Sequence, residues 1–176
     1  MSMIEVANTA KNYAQYMVSS QEVEYGTGWN YEYVLRPFLN QPLEPKDFAQ
    51  HIVNSYEQAY YKITNEYTQS ALDLSFCDAL ENNINEVATL LLSAFDNASY
   101  MQITNILRKC KSTQYCTCFD EPSYIDLGHF YKNLLHHIQY IKTKDTSMGY
   151  RLQNDLQPAL LKGLDTIESF VIANKK

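Results

Sequence analysis

The sequence predicts a mainly helical α/β protein, and three observations support that class. Glycine and proline each occur only five times in 176 residues, whereas sandwiches and barrels need many turn residues. Apolar side chains recur at three- and four-residue steps over most of the chain, which is the spacing of one helix face. Two short segments, within residues 15–23 and 68–74, instead have the composition or weak alternation that is typical of strands.

Length, charge and hydropathy exclude several classes of protein. A chain of 176 residues of which 45% are hydrophobic is long enough for one domain with a sizeable core, with or without a small appendage. The net charge of −6 argues against a general nucleic-acid binder, which would carry a basic surface. The sequence has no run of about 18 apolar residues, so it predicts no membrane span.

The N-terminal segment predicts a helix, a strand, a loop and a second helix in turn. The first helix begins near residue 2, and the strand lies within residues 15–23. A loop bracketed by glycines at 24–29 and a short helix at about 31–39 follow. The first helix has a face formed by Met3, Ala7, Ala10, Ala14 and Met17, and the strand contains Tyr16, Val18 and Val23.

The middle of the chain predicts a longer helix and a second strand. Pro45 suits the first turn of this helix, and Asp47 interacts favourably with the positive end of its dipole. The apolar face of the helix is formed by Phe48, Ile52, Tyr56, Ala59 and Ile63. The strand is expected at 68–74.

The rest of the chain predicts helices separated by one long loop. A loop is expected at 112–122. Ser75 and Asp78 have the spacing of a capping box, and the helix that they open is expected to break near residues 96–97. Its apolar face is formed by Leu80, Ile84, Val87, Leu91 and Phe95. Two later helices contain Leu127, Tyr131, Leu134, Ile138 and Ile141, and then Leu152, Leu156, Leu160, Leu164, Ile167 and Val171. Pro158 is expected to kink or to start the last helix.

The histidines do not form a metal-binding pattern. The chain has four of them, at positions 51, 129, 136 and 137. His136 and His137 are adjacent, so they point about 100° apart on a helix and cannot chelate one ion as an i, i+4 pair can. His129 and His136 share a face, but no further ligand completes a set. The sequence therefore predicts no metal site.

The four cysteines are interpreted as reduced thiols in a packed protein. They are Cys77, Cys110, Cys116 and Cys118, and the last two are separated by one residue rather than by the two of a zinc knuckle. A disulfide such as Cys110–Cys116 is the alternative. Spacing alone cannot select a cysteine and a histidine as nucleophile and base.

The first residues do not resemble a signal peptide, because no basic region precedes an apolar one. If Met1 is the natural start, a cytoplasmic protein is expected. If it is not, the compartment is undetermined.

Several segments resemble the clostripain family of cysteine peptidases. Residues 1–7 (MSMIEVA), 13–24 (YAQYMVSSQEVE) and 26–31 (GTGWNY) are similar to a family pattern that reads approximately Asp-x-Cys-Leu-Met-x-x-x-Glu-x-Ala, a variable stretch, and Ser-x-Glu-x-Glu-Pro-Gly-Asp-Gly-Trp. Residues 70–75 (SALDLS) and 124–130 (YIDLGHF) resemble two weaker family segments. The blocks agree in order and spacing, so the resemblance covers nearly the whole chain.

The resemblance implies a partial caspase-like α/β sandwich with one or two core strands, followed by a helical region. Residues 1–75 would form the part of the peptidase core that follows the nucleophile, and 76–176 a helical C-terminal region. Members of the family cleave peptide bonds after basic residues with a Cys–His dyad, and some depend on calcium. A peptide or protein substrate is thus the implied partner.

This chain departs from the family at the catalytic dyad. Met1 aligns two residues after the nucleophilic cysteine, and the family's histidine lies further upstream. Cys77 and His51 align with nothing catalytic. The resemblance therefore implies that no catalytic residue lies in this chain.

By the same resemblance, a loop in this chain is expected to form a wall of the substrate site. Thr27 stands where the family has an acidic residue that would pair with a basic substrate side chain, which puts a preference for arginine or lysine in doubt. Tyr25 replaces a proline. A loop that merely needs glycine dihedrals and a packed indole is the alternative. The expected substrate-binding residues are Glu24, Gly26, Thr27, Gly28 and Trp29.

Two functions follow as hypotheses. The chain is either the C-terminal portion of a clostripain-like endopeptidase, inactive alone, or a non-catalytic truncated relative that acts as a protein-binding or regulatory module. The strand near 16–22 would have an exposed edge in this chain alone, so homo-oligomerisation is also expected.

Overall fold

The computed structural model describes residues 2–65, 67–97, 100–118, 123–141 and 146–175, except for the side chains of 96, 97 and 146–152. Within these ranges the helices are α1 (Ile4–Ala10), α2 (Tyr31–Leu35), α3 (Pro45–Tyr60), α4 (Cys77–Asn97), α5 (Tyr100–Cys110), α6 (Leu127–His137) and α7 (Thr146–Phe170). The strands are β1 (Tyr16–Ser19), β2 (Gln69–Asp73) and β3 (Val171–Lys175). Short 3₁₀ turns lie at Arg36–Leu39, Leu74–Phe76 and Ile138–Tyr140. No helix in the described ranges is long and apolar enough to cross a membrane.

The chain divides into two compact units. The first consists of Met1–Asp78 together with Glu168–Lys176, and the second of Ala79–Ile167. The division expected from the sequence, between residues 75 and 76, lies close to the first of these boundaries. The structure also joins Glu168–Lys176 to the first unit, because β3 is part of its sheet.

The sheet of the first unit has the strand order β1-β2-β3, and both strand pairs are antiparallel. β2 is the central strand, and all five of its residues are buried. A row of polar residues crosses the sheet, with Ser70 opposite Ser19 on one side and Asn174 on the other. The Ser70 hydroxyl donates to Asn174 Oδ1 at 2.9 Å, so this buried hydroxyl is hydrogen-bonded rather than left unpaired.

α3 packs against one face of this sheet. Pro45 lies in its first turn, where the missing N–H costs nothing, and Asp47 adds a negative charge at the positive end of the helix dipole. Ala49 and Val53 are buried against Ala71 of β2. The partly buried neighbours of this cluster are Tyr16, Val18, Ile172 and Ala173.

The second unit is a helical core. The buried residues of its main cluster are Val87, Ala94, Ile103, Cys110, Tyr131, Leu134, Ile138, Ile141, Leu156, Ala159 and Leu160. Asn83 is also buried, and its Nδ2 donates to the Ala159 carbonyl of α7 at 2.7 Å. Gly163 allows a close approach in the same region, because a Cβ there would lie 2.3 Å from both Asn83 Oδ1 and Tyr131 Cε2.

The mainly helical α/β class predicted from the sequence is confirmed. Both predicted strands form, as β1 and β2, and the helix expected after residue 45 begins at Pro45. The predicted break near residues 96–97 corresponds to the end of α4 at Asn97. Part of the predicted loop at 112–122 lies outside the described residues, since 119–122 are not described.

The structure corrects several details of the sequence-based assignment. The sheet has a third strand, because Val171 begins β3 instead of continuing the last helix. Ile63 is not on α3, which ends at Tyr60, and its side chain is 67% exposed. Of the two alternatives for Pro158, the structure excludes the start of the helix, because Pro158 lies inside α7.

A further correction concerns the start of α4. Ser75 does not cap that helix together with Asp78. Instead, the Asp73 carboxylate accepts hydrogen bonds from Ser75 N at 3.1 Å and from Ser75 Oγ at 2.6 Å. The cap therefore lies one turn earlier, at the 3₁₀ turn that follows β2.

Candidate functional site

The loop after β1 contains a tight turn from Tyr25 to Gly28. Gly28 N donates to the Tyr25 carbonyl at 2.8 Å, and Gly28 has a φ of +66°, which a residue with a side chain rarely adopts. Gly26 has an ordinary φ, and a Cβ there would contact nothing within 4 Å. Of the two glycines, only Gly28 is therefore required by the backbone.

The hydroxyl of Tyr60, at the end of α3, holds this turn in place. It donates to the Gly28 carbonyl at 2.6 Å. The Thr27 Oγ1 lies 2.6 Å from the same hydroxyl, and since the Tyr60 proton is already used, Thr27 is the donor. The Thr27 hydroxyl is thus directed at Tyr60 within the protein.

A cluster of aromatic rings packs beside the turn. Tyr56, Tyr60 and Tyr67 are buried together, and Trp29 packs against them. The ring centroids of Tyr56 and Tyr60 are 4.6 Å apart, and those of Tyr25 and Tyr60 are 5.3 Å apart. Such tilted pairs of aromatic rings stabilise a loop beyond their buried area.

The ionisation of Tyr56 reflects this environment. Burial raises the pKa of Tyr56 above its usual 10.0. The hydrogen bond from Tyr25 N to the Tyr56 hydroxyl, at 3.4 Å, lowers the pKa, and the negative charge of Glu24 raises it again. Tyr56 is therefore a neutral support for the turn at physiological pH.

Glu24 is the carboxylate of the loop, and two donors position it. Its Oε1 accepts from the Trp29 indole N–H at 3.5 Å and from Gln69 Nε2 at 3.3 Å. Glu24 is exposed, whereas Gln69 on β2 is fully buried. The buried central strand thus orients a charge at the surface of the loop.

A groove of about 480 Å³ runs beside the loop, between β1 and α3. Trp29 lines this groove and also packs on the tyrosine cluster, so it joins the two features. The other lining residues are Gln15, Tyr16, Val18, Pro45, Phe48, Ala49 and Ile52.

The start of the chain is anchored beside this loop. Ser2 N donates to the Ser20 carbonyl at 2.9 Å, and Ser2 Oγ donates to the Ser19 carbonyl at 2.7 Å. Thr68 Oγ1 accepts from Glu22 N at 2.9 Å on the other side. Residue 2, the carboxyl end of β1 and the first loop residues therefore lie together.

The loop residues could be predicted from the sequence, but the residues that position them could not. Tyr60 and Gln69 were not predicted to contribute to the site. Their roles depend on contacts with residues 32 and 45 positions away, which no local pattern encodes. The one available signal was the i, i+4 spacing of Tyr56 and Tyr60, which places both rings on one face of α3.

His51 lies on α3, and its Nε2 contacts the Tyr33 carbonyl at 2.9 Å and Ser55 Oγ at 3.1 Å. Among the residues that the structure describes, no group of three His, Cys, Asp or Glu side chains could hold a metal ion.

Comparison with solved structures identifies the fold. A secreted C11 cysteine protease from Bacteroides thetaiotaomicron, solved with an irreversible peptide inhibitor, matches with a TM-score of 0.58 and 20% identity, over 99% of this chain and 41% of that chain. A cysteine protease from B. fragilis matches with a TM-score of 0.56 and 15% identity, over 99% of this chain and 63% of that chain. A clostripain from B. thetaiotaomicron, bound to a peptide inhibitor, has a TM-score of 0.51 and 14% identity, again over 99% and 63%.

These matches define the class of protein as a caspase-like α/β fold shared with C11 cysteine proteases. Residues 1–160 match the model of the clostripain family, Peptidase C11, and the chain belongs to that family. The chain spans less than two thirds of the length of the three proteases. No curated protein matches it.

Proposed function

We propose that this chain is the part of a clostripain-like cysteine endopeptidase that follows the nucleophile. It supplies one wall of the substrate site, formed by the 24–29 loop, and a helical C-terminal region. The catalytic cysteine and histidine come from a segment upstream of Met1. The observation that carries the proposal is the anchoring of Ser2 beside the carboxyl end of β1 and this loop.

The outer edge of β1 supports the proposal. Leu74 N donates to the Gln15 carbonyl at 2.9 Å, so residues 15 and 74 are a hydrogen-bonded pair of the antiparallel ladder. Because such pairs alternate along a ladder, the backbone groups of Tyr16 and Val18 point away from β2. No strand in the described part of the chain lies on that side. The edge is therefore available to one more strand.

A strand that precedes α1 would fit this edge in one direction. If it were joined to β1 by a crossover through α1, it would run parallel to β1, because a helical crossover connects parallel strands. Its carboxyl end would then lie next to Ser2. Ligand and catalytic groups of α/β sheets lie at the carboxyl ends of such strands, so a nucleophile there would face the 24–29 loop.

In the assembled enzyme the upstream histidine would accept the proton of the cysteine, and the thiolate would attack the substrate carbonyl. The part played by this chain is to position the substrate. Glu24 provides the negative charge of the wall, and Thr27 is neutral and hydrogen-bonded to Tyr60. We therefore expect a weaker preference for basic side chains than an acid at position 27 would give.

The first test is to sequence the transcript upstream of the Met1 codon. An in-frame Asp-x-Cys-Leu segment before Met1 is expected. Purified 1–176 should not hydrolyse peptides with arginine, lysine or neutral residues at the cleavage site, and the protein with its upstream segment should. A version with the upstream cysteine changed to serine is the control. Hydrolysis by 1–176 alone would contradict the proposal, and the absence of any upstream frame would favour the protein-binding alternative.

A further inference from the structure

Three cysteines meet where α5 ends and α6 begins. Cys110 is the last residue of α5, and Cys116 and Cys118 lie in the connection to α6. This connection is paired with the start of α6, since Asp126 N donates to the Thr117 carbonyl at 2.9 Å and Cys118 forms a β-bridge with Ile125. The backbone that carries the last two thiols is therefore ordered by hydrogen bonds.

The sulfur atoms of this pair are held against neighbouring carbonyls. Cys116 Sγ lies 3.5 Å from the Asp126 carbonyl oxygen. Cys118 Sγ lies 3.6 Å from the carbonyl oxygen of Cys116 itself and 3.7 Å from that of Lys111. The Cys118 sulfur is thus folded back toward Cys116 instead of pointing away from it.

The three thiols differ in access to solvent. Cys110 is 0% and Cys116 is 3% exposed, whereas Cys118 is partly exposed. Burial raises the pKa of Cys110 to about 11, and burial followed by the nearby charge of Cys118 raises that of Cys116. Because Cys118 is the one of these three thiols that solvent reaches, a reagent in solution meets Cys118 first.

We propose that Cys118 and Cys116 form a thiol modification site that reacts with low-molecular-weight disulfides. The Cys118 thiolate attacks the small disulfide, which gives a mixed disulfide and releases one small thiol. The Cys116 thiolate then attacks Cys118 Sγ, which forms the Cys116–Cys118 disulfide and releases the second small thiol. The two protein thiols are oxidised, the small disulfide is reduced to two thiols, and these take up the two protons.

The geometry allows this disulfide and makes it easy to reduce. Even where the backbone is extended, two residues separated by one have Cα atoms only about 6.6 Å apart, which is within the range for a disulfide. A disulfide that spans a single intervening residue constrains the backbone between its ends, and strained disulfides are the labile ones. Cys110 is a poorer partner, because it is fully buried and the Asn133 amide holds its carbonyl at 2.9 Å.

The experiment uses the full 176-residue chain and oxidised glutathione. The expected product has lost two thiols and two hydrogen atoms, and peptide mapping assigns the bond to Cys116 and Cys118. Dithiothreitol should reverse it. In Cys116→Ser the reaction should stop at a glutathione adduct on Cys118, and in Cys118→Ser it should not occur. Cys77→Ser and Cys110→Ser are the matched controls and should react as the parent does.

Three outcomes would overturn the proposal. They are a Cys110–Cys116 disulfide, a disulfide between two copies of the chain, and the persistence of all four thiols in the folded protein. Circular dichroism of each variant shows whether it is folded, and a variant that is not folded is replaced by the corresponding alanine variant.

Discussion

At the scale of single residues, the candidate site depends on side chains that touch it from distant elements. Tyr60 reaches the turn from α3 and binds both Thr27 and the Gly28 carbonyl. Gln69 reaches Glu24 from β2. The loop alone would have little reason to hold one conformation, because its own backbone hydrogen bond, from Gly28 N to the Tyr25 carbonyl, closes only one turn.

Replacement of the Tyr60 hydroxyl tests this dependence. Tyr60→Phe removes two hydrogen bonds from a buried ring and should lower the free energy of unfolding by about 1 kcal/mol. Trp29 is the only tryptophan and packs on the same cluster, so its fluorescence should change in the folded variant. Tyr61→Phe, at a 52% exposed ring, is the control and should alter neither quantity. An unchanged emission spectrum in Tyr60→Phe would mean that the hydroxyl does not position the loop.

Gly163 provides a second test at this scale. A methyl group there would lie 2.3 Å from Asn83 Oδ1 and from Tyr131 Cε2, and both side chains are buried. We expect Gly163→Ala to lower the free energy of unfolding by about 1–3 kcal/mol through overpacking, although alanine is the better helix former by about 1 kcal/mol. Urea denaturation measures the difference. Gly128→Ala, whose Cβ would be 3.3 Å from a single carboxylate oxygen, should have little effect. A stabilised Gly163→Ala protein would show that the side chains of Asn83 and Tyr131 can move to make room for the added methyl group.

At the scale of elements, the edge of β1 is the feature with the clearest consequence. Its outer backbone groups belong to Tyr16 and Val18, and no strand in the described ranges pairs with them. An open edge of this kind pairs readily with another chain. In the proposed enzyme an upstream strand would occupy it, and in the isolated chain a second copy is the nearest substitute.

Self-association through this edge can be tested by substituting one residue of β1. Light scattering should give a mass that rises with the concentration of the isolated chain. Val18→Pro removes an outward N–H and should return the protein to a monomer, since proline cannot donate to a new ladder. Val18→Ala loses the same side-chain contacts with the α3 cluster but keeps the N–H, so it should still associate. A monomeric parent protein at every concentration would exclude this use of the edge.

At the scale of the whole molecule, a buried thiol and a buried phenol should make the free energy of unfolding decrease at alkaline pH. Burial raises the pKa of Cys110 from 9.0 to about 11 and that of Tyr131 from 10.0 to about 12. Each group is neutral when protonated, so the unfolded chain loses its proton at a lower pH than the folded one. The stabilising contribution is complete below the unfolded pKa values and is lost as pH rises toward the folded values.

We therefore expect the free energy of unfolding to decrease between about pH 9 and pH 12. Chemical denaturation in the presence of a phosphine reductant, at intervals over this range, measures the decrease. Cys110→Ala should lose the part of this decrease that begins near pH 9, and Tyr131→Phe should lose the part that begins near pH 10. Variants that keep the full slope would assign the effect to other groups.

Much of this molecule could be predicted from local patterns. The apolar stripe from Phe48 to Tyr56 and the helix-starting Pro45 predicted α3, because both signals are read within a few residues. The glycines of the loop after β1 marked a turn for the same reason, and the order of the family blocks predicted the fold and the family.

The tertiary structure decided the rest. Val171 continues a helical apolar spacing, yet Val171–Lys175 is a strand, because β2 offers hydrogen bonds to it from about 100 residues earlier in the chain. The roles of Tyr60 and Gln69 depend likewise on contacts that only folding creates. A helix face is encoded by neighbours along the chain, whereas a strand pair or a supported loop is encoded by neighbours in space. The sequence by itself therefore determined the helices and the family, and the packing of α3 on a three-stranded sheet decided how the loop is held.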